Sequence, residues 1–327
     1  MRTHDVAFLL IADDRDIFGI GEIAPIPKLS VETLESSIHQ FTQIEQLKFD
    51  HLESFTNWFQ EKDDLTSSLR FACETALEDL KNLGNFQPFL KDTQTKKLKI
   101  NGLVWMNEYD EMKKQAFEKI NKGFDCIKLK VGAINLNDEE RLLAELREKH
   151  PEITLRIDAN GAWKLPQALE ILKRWAKYNI HSIEQPIYTH DLNELKTLCK
   201  ESAIEVALDE QLIPPHTKEQ KIELLETVKP QHLVFKPGLI GGFAQTQEWI
   251  DLANEYGINW WITSALESNL GMNAIYRFAI KNHINGQIHG LGTGELYDNN
   301  WNSPLEIEEG FLKFNPEKLW DDWNWLK

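Results

Sequence analysis

Cys126–Lys130 reads CIKLK, and four more short runs follow it: ITLRID at 153–158, HSIE at 181–184, IEVALD at 204–209 and HLVFK at 232–236. Each run is rich in β-branched or apolar residues, and each closes on an ionisable one: Lys130, Asp158, Glu184, Asp209 and Lys236. The steps between these five residues are 28, 26, 25 and 27. That interval accommodates a strand, a helix and two loops, the repeat of a parallel α/β fold. One charged group at the carboxyl end of each of five consecutive strands is the arrangement of an active site on the rim of a β/α barrel.

The alternation extends in both directions. KINGLVW at 99–105 predicts a first strand, INWWITSA at 258–265 a seventh, and residues 286–290 a short eighth. Helices are predicted over 108–122, 138–149, 165–178, 192–201, 217–227 and 244–256. An open doubly wound sheet would place a Gly-rich nucleotide turn after its first strand, and the sequence has none there. Residues 1–96 read differently. An apolar run at 6–11, an acidic turn at 13–16 and FGIGEIAPIP at 18–27 predict a hairpin leading into a Gly/Pro-rich loop. Helices are expected over 30–46 and 67–83, the second with a stripe of Phe71, Ala72, Thr75, Ala76, Leu80 and Leu83 and with Gly84 as its stop. The fold class is therefore α/β: a small α+β unit at 1–96, a TIM-like barrel at 97–296, and a tail at 297–327. Trp301, Trp320, Trp323 and Trp325 of the tail are expected to pack back on the N-terminal unit.

With 36 basic and 52 acidic residues the chain carries a net charge of −16, which disfavours nucleic acid and anionic membranes as partners. The apolar run at 6–11 is too short for a signal sequence or a membrane span. Three scattered cysteines, Cys73, Cys126 and Cys199, fit a reducing compartment, so a cytoplasmic location is expected. The spacing does not address oligomeric state.

Asp158, Glu184 and Asp209 would converge from adjacent strand ends. Three buried carboxylates repel one another unless a cation neutralises them. All-oxygen ligation selects a hard divalent ion, Mg2+ first, with Mn2+ as the alternative. Lys128 and Lys130 leave one face of one strand, and their mutual repulsion is expected to lower one pKa toward that of a general base. Lys236 arrives from the far side, in VFKPGLIGG at 234–242. A base on one side and a cation on the other suit abstraction of a proton α to a carboxylate, with the metal stabilising an enediolate. A strand-end lysine acting as a Schiff base is a second reading, which leaves the carboxylates unexplained.

KLK at 128–130, DANG at 158–161, EQP at 184–186, DE at 209–210 and the Lys236 segment resemble, in order and spacing, the enolase superfamily and specifically its muconate-lactonising subgroup. A lysine base with Mg2+ on an enediolate is the known arrangement there. The resemblance implies a (β/α)7β barrel under an α+β cap built from the N-terminal region and the tail. ITSALESNLG at 262–271, GIGEIAPIPKLS at 19–30 and residues 238–242 are similar to the o-succinylbenzoate synthases of menaquinone biosynthesis. That likeness implies a small carboxylate substrate and loss of water from 2-succinyl-6-hydroxy-2,4-cyclohexadiene-1-carboxylate. Lys130 would be the base, Lys236 the opposed cation, and Lys128 the residue that tunes Lys130. Ser264, Glu267 and Ser268 would shape the pocket for the succinyl chain, and Arg156 would neutralise carboxylates lower in the barrel. An N-acylamino acid racemase or dipeptide epimerase is the alternative within the subgroup, although GLGTGELYDNN at 290–300, with Glu295 and Asp298, lacks the Asp-x-Asp pair of the epimerases. About twenty residues that relatives carry ahead of the first strand, part of a loop that closes the site, are expected to be absent. A third reading follows, a metal-binding relative with impaired catalysis.

Overall fold

The structure, a computed structural model, describes residues 3–13, 17–47, 49–82, 97–292 and 297–320. Strands β1 (Ala7–Ala12) and β2 (Phe18–Ile23) form the expected antiparallel hairpin. Helices α1 (Leu34–Glu45), α2 (Leu52–Gln60) and α3 (Ser67–Lys81) follow. Helix α1 starts later than the pattern suggests, because Thr33 and Ser36 form a reciprocal capping box that fixes its first turn. Leu83 and Gly84, expected to end α3, lie outside the described residues.

The hairpin lies on α3 at very short range, and glycine makes that approach feasible. A Cβ at Gly19 would stand 1.9 Å from the Ala76 carbonyl oxygen, and one at Gly21 would stand 1.9 Å from that of Ala72. Below this contact Leu9, Ile23, Phe55, Phe59, Leu69 and Cys73 make the core of the cap. Gly21→Ala should force the strand and helix apart and cost about 1–3 kcal/mol. The check is a shift in the urea midpoint, and an unchanged midpoint would show that these glycines do not set the spacing.

The run at 99–105 is two strands. Strand β3 (Lys97–Lys99) pairs with the tail hairpin, described below, and β4 (Gly102–Val104) opens the parallel sheet. The break falls where Ile100 and Asn101 donate their amides to Gly310 and His289. Then come α4 (Tyr109–Asn121), β5 (Cys126–Lys130), α5 (Leu136–Lys149), β6 (Thr154–Asp158), α6 (Leu165–Trp175), β7 (Ser182–Glu184) and α7 (Leu192–Glu201). The series continues with β8 (Val206–Leu208), α8 (Lys218–Val228), β9 (His232–Phe235), α9 (Gly242–Glu255), β10 (Asn259–Ile262) and α10 (Asn269–Asn282). Strands β4 to β10 form one curled parallel sheet in chain order. The expected eighth strand is reduced to bridges from His289 to Ile100 and from Gly290 to Thr263, which join the two edges of the sheet. The tail contributes β11 (Leu305–Glu308) and β12 (Phe311–Phe314), an antiparallel pair that adds β3 at its edge. Trp301 packs edge-on against Phe8 of the cap, with ring centroids 5.9 Å apart. Trp323 and Trp325 lie outside the described residues.

Strand alternation sorts the barrel residues. Ile127, Leu129, Leu155 and Ile157 point outward and are buried under the helices, each worth about 1.5–3 kcal/mol. Lys128, Lys130, Arg156 and Asp158 alternate with them and point inward, beside an apolar layer of Ala207, Val234 and Trp261. None of the described helices is long and apolar enough to cross a membrane.

Candidate active site

The strand register brings the charged residues together. Lys130 pairs with Asp158 and Asp158 with Glu184 across β5, β6 and β7. Asp209 and Lys236 follow directly after β8 and β9. Asp158, Glu184 and Asp209 are 0%, 2% and 1% exposed, so their charge has to be met inside the protein. Three ammonium groups meet it. Lys128 Nζ lies 2.6 Å from both Glu184 oxygens and 2.9 Å from Asp158 Oδ2. Lys130 Nζ lies 2.6 Å from Asp158 Oδ2, and Lys236 donates to Asp209 Oδ2.

The electrostatics follow from this packing. Burial opposes ionisation of Asp158, but Lys128, Lys130 and Lys236 outweigh it and hold the carboxyl well below its usual range. Glu184 moves the other way, pushed well up by burial and by Asp158 beside it. Burial also opposes the charge on Lys128, yet Asp158 and Glu184 prevail and hold its ammonium above the usual lysine range. The expected lowering therefore does not occur at Lys128. Lys236 is raised likewise, with Asp209 overcoming burial. Lys130 has the better access of the strand β5 pair, 17% exposed against 8% for Lys128, so it is the one a substrate can reach.

Among the described residues no three His, Cys, Asp or Glu side chains stand ready as a metal cluster, because the lysines separate these carboxylates. The donor set still fits a hard cation. It is all carboxylate oxygen, it is buried, and Asp209 Oδ1 has no hydrogen-bond partner among the described residues. Asp158, Glu184 and Asp209 are the residues that would hold a divalent ion here, in competition with the lysine ammonium groups that contact them.

Several residues of the quoted motifs shape the site through contacts that the motifs alone do not show. Asn160, at φ +44°, accepts from Lys130 Nζ at 2.6 Å through Oδ1 and donates to Glu210 at 2.7 Å through Nδ2. It thereby orients Lys130. Gln185, fully buried, accepts the amides of Asp209 and Gln211 and fixes the turn that presents Asp209. From the cap, Glu22 accepts Ser268 N at 2.8 Å, Ser268 Oγ at 2.6 Å and Gly271 N at 2.9 Å.

The three expected pocket residues sit around that contact. Ser264 donates its amide to the Gly290 carbonyl at 3.1 Å. Ser268 caps α10, its hydroxyl shared between Leu270 N and Glu22. Glu267 is 2% exposed, accepts the Ala265 amide at 2.6 Å, and is pushed up to about 7 by burial, with Glu22 reinforcing the shift. Leu266, between them, holds φ +67°, a strained conformation for a branched residue. Arg156 points toward the opposite end of the barrel from the carboxylates, donating to the Ile288 carbonyl at 2.9 Å. Glu295 lies outside the described residues.

Glu22→Gln would set an amide N–H against at least one donor, Ser268 N or the pair Ser268 Oγ and Gly271 N. The expected cost is about 1–3 kcal/mol, with KM raised more than kcat is lowered because the loop carrying Glu267 loosens. Unchanged steady-state constants would show that the cap contact does not hold this loop.

A second contact fastens the cap. Glu74 on α3 accepts the amides of Phe243 and Ala244 at the start of α9, and Gly242, where a Cβ would meet the Glu74 carboxylate, lets it come that close. Burial raises Glu74 to about 7, and these two amides only partly offset it. A carboxyl raised on folding makes the native state hold the extra proton, so its contribution to stability falls as pH climbs from about 4.5 to about 7. Glu74→Gln keeps an acceptor oxygen and removes that titration. Between pH 5 and pH 8 the parent should lose about 2 kcal/mol more than the variant. Parallel urea midpoints at the two pH values would remove Glu74 from this role.

The comparisons with known proteins agree with this geometry. Residues 111–318 match the family described as enolase C-terminal domain-like. An o-succinylbenzoate synthase of Desulfotalea psychrophila is 43% identical over 260 residues, 78% of this chain and 70% of that protein. The crystal structure of MenC from the same organism superposes with a TM-score of 0.79 at 34% identity, covering 95% of this chain and 99% of the other. The L-Ala-D/L-Glu epimerase of Bacillus subtilis superposes with a TM-score of 0.81 at 21% identity, covering 94% and 88%, a likeness of fold alone. The chain belongs to the enolase superfamily, in its muconate-lactonising subgroup.

Proposed function

We propose that this chain is an o-succinylbenzoate synthase, a hydro-lyase that removes water from 2-succinyl-6-hydroxy-2,4-cyclohexadiene-1-carboxylate to give 2-succinylbenzoate. The observation that carries the reading is the close likeness to the Desulfotalea psychrophila synthase across most of the chain, joined to lysines on opposite walls of a carboxylate-lined barrel mouth.

Asp158, Glu184 and Asp209 would hold a divalent ion, Mg2+ in the first instance. Bound there, it supplies positive charge against the substrate carboxylate as the α-proton leaves. Lys130 acts as the base: once its ammonium has given up a proton, the amine takes the α-proton, and the ammonium so formed returns a proton to the departing hydroxide, which leaves as water. Asn160 holds Lys130 in position for both transfers. Lys236, on the facing wall at β9, keeps its ammonium charged against the negative charge that develops on the ring side. Ser264, Glu267 and Ser268 border the space for the succinyl chain, and burial, by pushing Glu267 up to about 7, lessens the negative charge that faces a carboxylate there.

The test offers the Mg2+-loaded enzyme the cyclohexadiene substrate, and separately a dipeptide and an N-acylamino acid in deuterated water. Aromatisation of the diene with little α-proton exchange is expected. Efficient exchange without aromatisation would make it an epimerase or racemase. Mg2+ binding with neither activity would make it an impaired relative.

A further inference from the structure

The N-terminal mouth of the barrel, at the far end from the carboxylates, holds a recess of about 640 Å³ lined by Arg156, His181, His232, Asn254, Trp261 and Gln287 among others. Among the described residues no Asp or Glu lines it. Arg156 is 5% exposed, and among the described residues no carboxylate pairs with its guanidinium. Nη1 donates to the Ile288 carbonyl, the guanidinium lies 3.9 Å from the centroid of the Trp261 ring, and Nε has no hydrogen-bond partner among the described residues. The rings of His181 and His232 stand 5.0 Å apart beside the same tryptophan. Glu205 reaches His232 Nε2 from the side at 2.7 Å, and His232 Nδ1 is without a partner.

A buried cation with no carboxylate in contact is costly, Glu184 acting on Arg156 only from a distance, and a fixed arginine fork with an unused N–H is the group that captures oxyanions. We propose that this recess is a binding site for a small oxyanion, inorganic phosphate or the carboxylate or phosphoryl group of a small metabolite, held by Arg156 with His181 and His232 at its flanks. It is separate from the substrate site, because Arg156 and Asp158 leave the same strand face and reach opposite ends of the barrel.

The experiment compares thermal unfolding of the Mg2+-loaded protein in sodium phosphate, sodium acetate and sodium chloride at equal ionic strength. Phosphate at ten times its Kd should raise Tm by about 3 °C over chloride. The rise should persist in Lys236→Met, where the lysine cluster is weakened, and vanish in Arg156→Met. An equal rise with acetate assigns the site to carboxylates as well, and a rise with phosphate alone assigns it to phosphoryl groups. No rise in the parent, or a rise that survives Arg156→Met, overturns the proposal. Should either variant fail to fold, selenate soaked into crystals of the parent decides: an anomalous peak against the Arg156 guanidinium supports the site, and its absence there refutes it.

Discussion

Lys130→Ala is expected to lower kcat by about 10³- to 10⁴-fold while leaving the fold and the carboxylate site in place. The loss should be this large because the α-proton of a carboxylate is weakly acidic, and the structure brings no second amine to the same side of the site with comparable access. Lys128 lies deeper in the barrel, 8% exposed against 17% for Lys130, so it does not reach the α-proton in place of Lys130. The fold should survive because Asp158 keeps other partners. Lys128 remains 2.9 Å from Oδ2, and the Asn160 amide donates to Oδ1 at 3.0 Å. Lys130→Arg should be equally inactive, since a guanidinium keeps its proton at any workable pH. Turnover is read from formation of the aromatic product, and integrity from Mg2+-dependent Tm. An alanine variant retaining a tenth or more of the activity would remove Lys130 from the role of base.

That prediction was reachable from the sequence because a strand-end ionisable residue leaves two local marks, an apolar run before it and a repeat distance after it. Lys130, Asp158, Glu184, Asp209 and Lys236 carry both. Helix α10 carries neither. Of its 14 residues, ten are buried, including Asn273 and Arg277, so no polar face exists to set off an apolar stripe. Helix α2 is only nine residues long and has no side-chain cap. The β3–β12 pairing and the Glu22 contact with Ser268 join residues more than two hundred positions apart, where periodicity has nothing to say. Asn160 was visible as a residue of DANG, but its bond to Lys130 depends on a left-handed backbone at φ +44° that turns its side chain back over the strand end. The charge state of Lys128 also needed coordinates. Two lysines two residues apart suggest repulsion, and the carboxylates that reverse it come from β6 and β7.

Lys128→Met should make the stability of the protein depend on Mg2+. In the absence of metal the Lys128 ammonium is the group that touches both Glu184 oxygens, and it also bonds Asp158. Its loss leaves Glu184, 2% exposed, without a cation in contact, while Asp158 keeps Lys130. Removing one partner of a buried ion pair costs about 3–5 kcal/mol, which for a chain of this size lowers Tm by about 4–7 °C. Part of that cost is relieved by protonation of Glu184, already the carboxyl that burial and Asp158 push upward. Saturating Mg2+ should restore most of the lost Tm, because a divalent ion among Asp158, Glu184 and Asp209 supplies the charge that the methionine lacks. The parent should gain less from the same ion, since there the metal displaces an ammonium that already serves. Ca2+ is the useful contrast, because a site of three short carboxylate arms suits a small octahedral ion better than a larger one with more ligands. Equal Mg2+ responses in parent and variant, with no penalty in the metal-free variant, would mean that Lys128 and the metal do not compete for these carboxylates, and the assignment of Asp158, Glu184 and Asp209 as ligands would lose its structural basis.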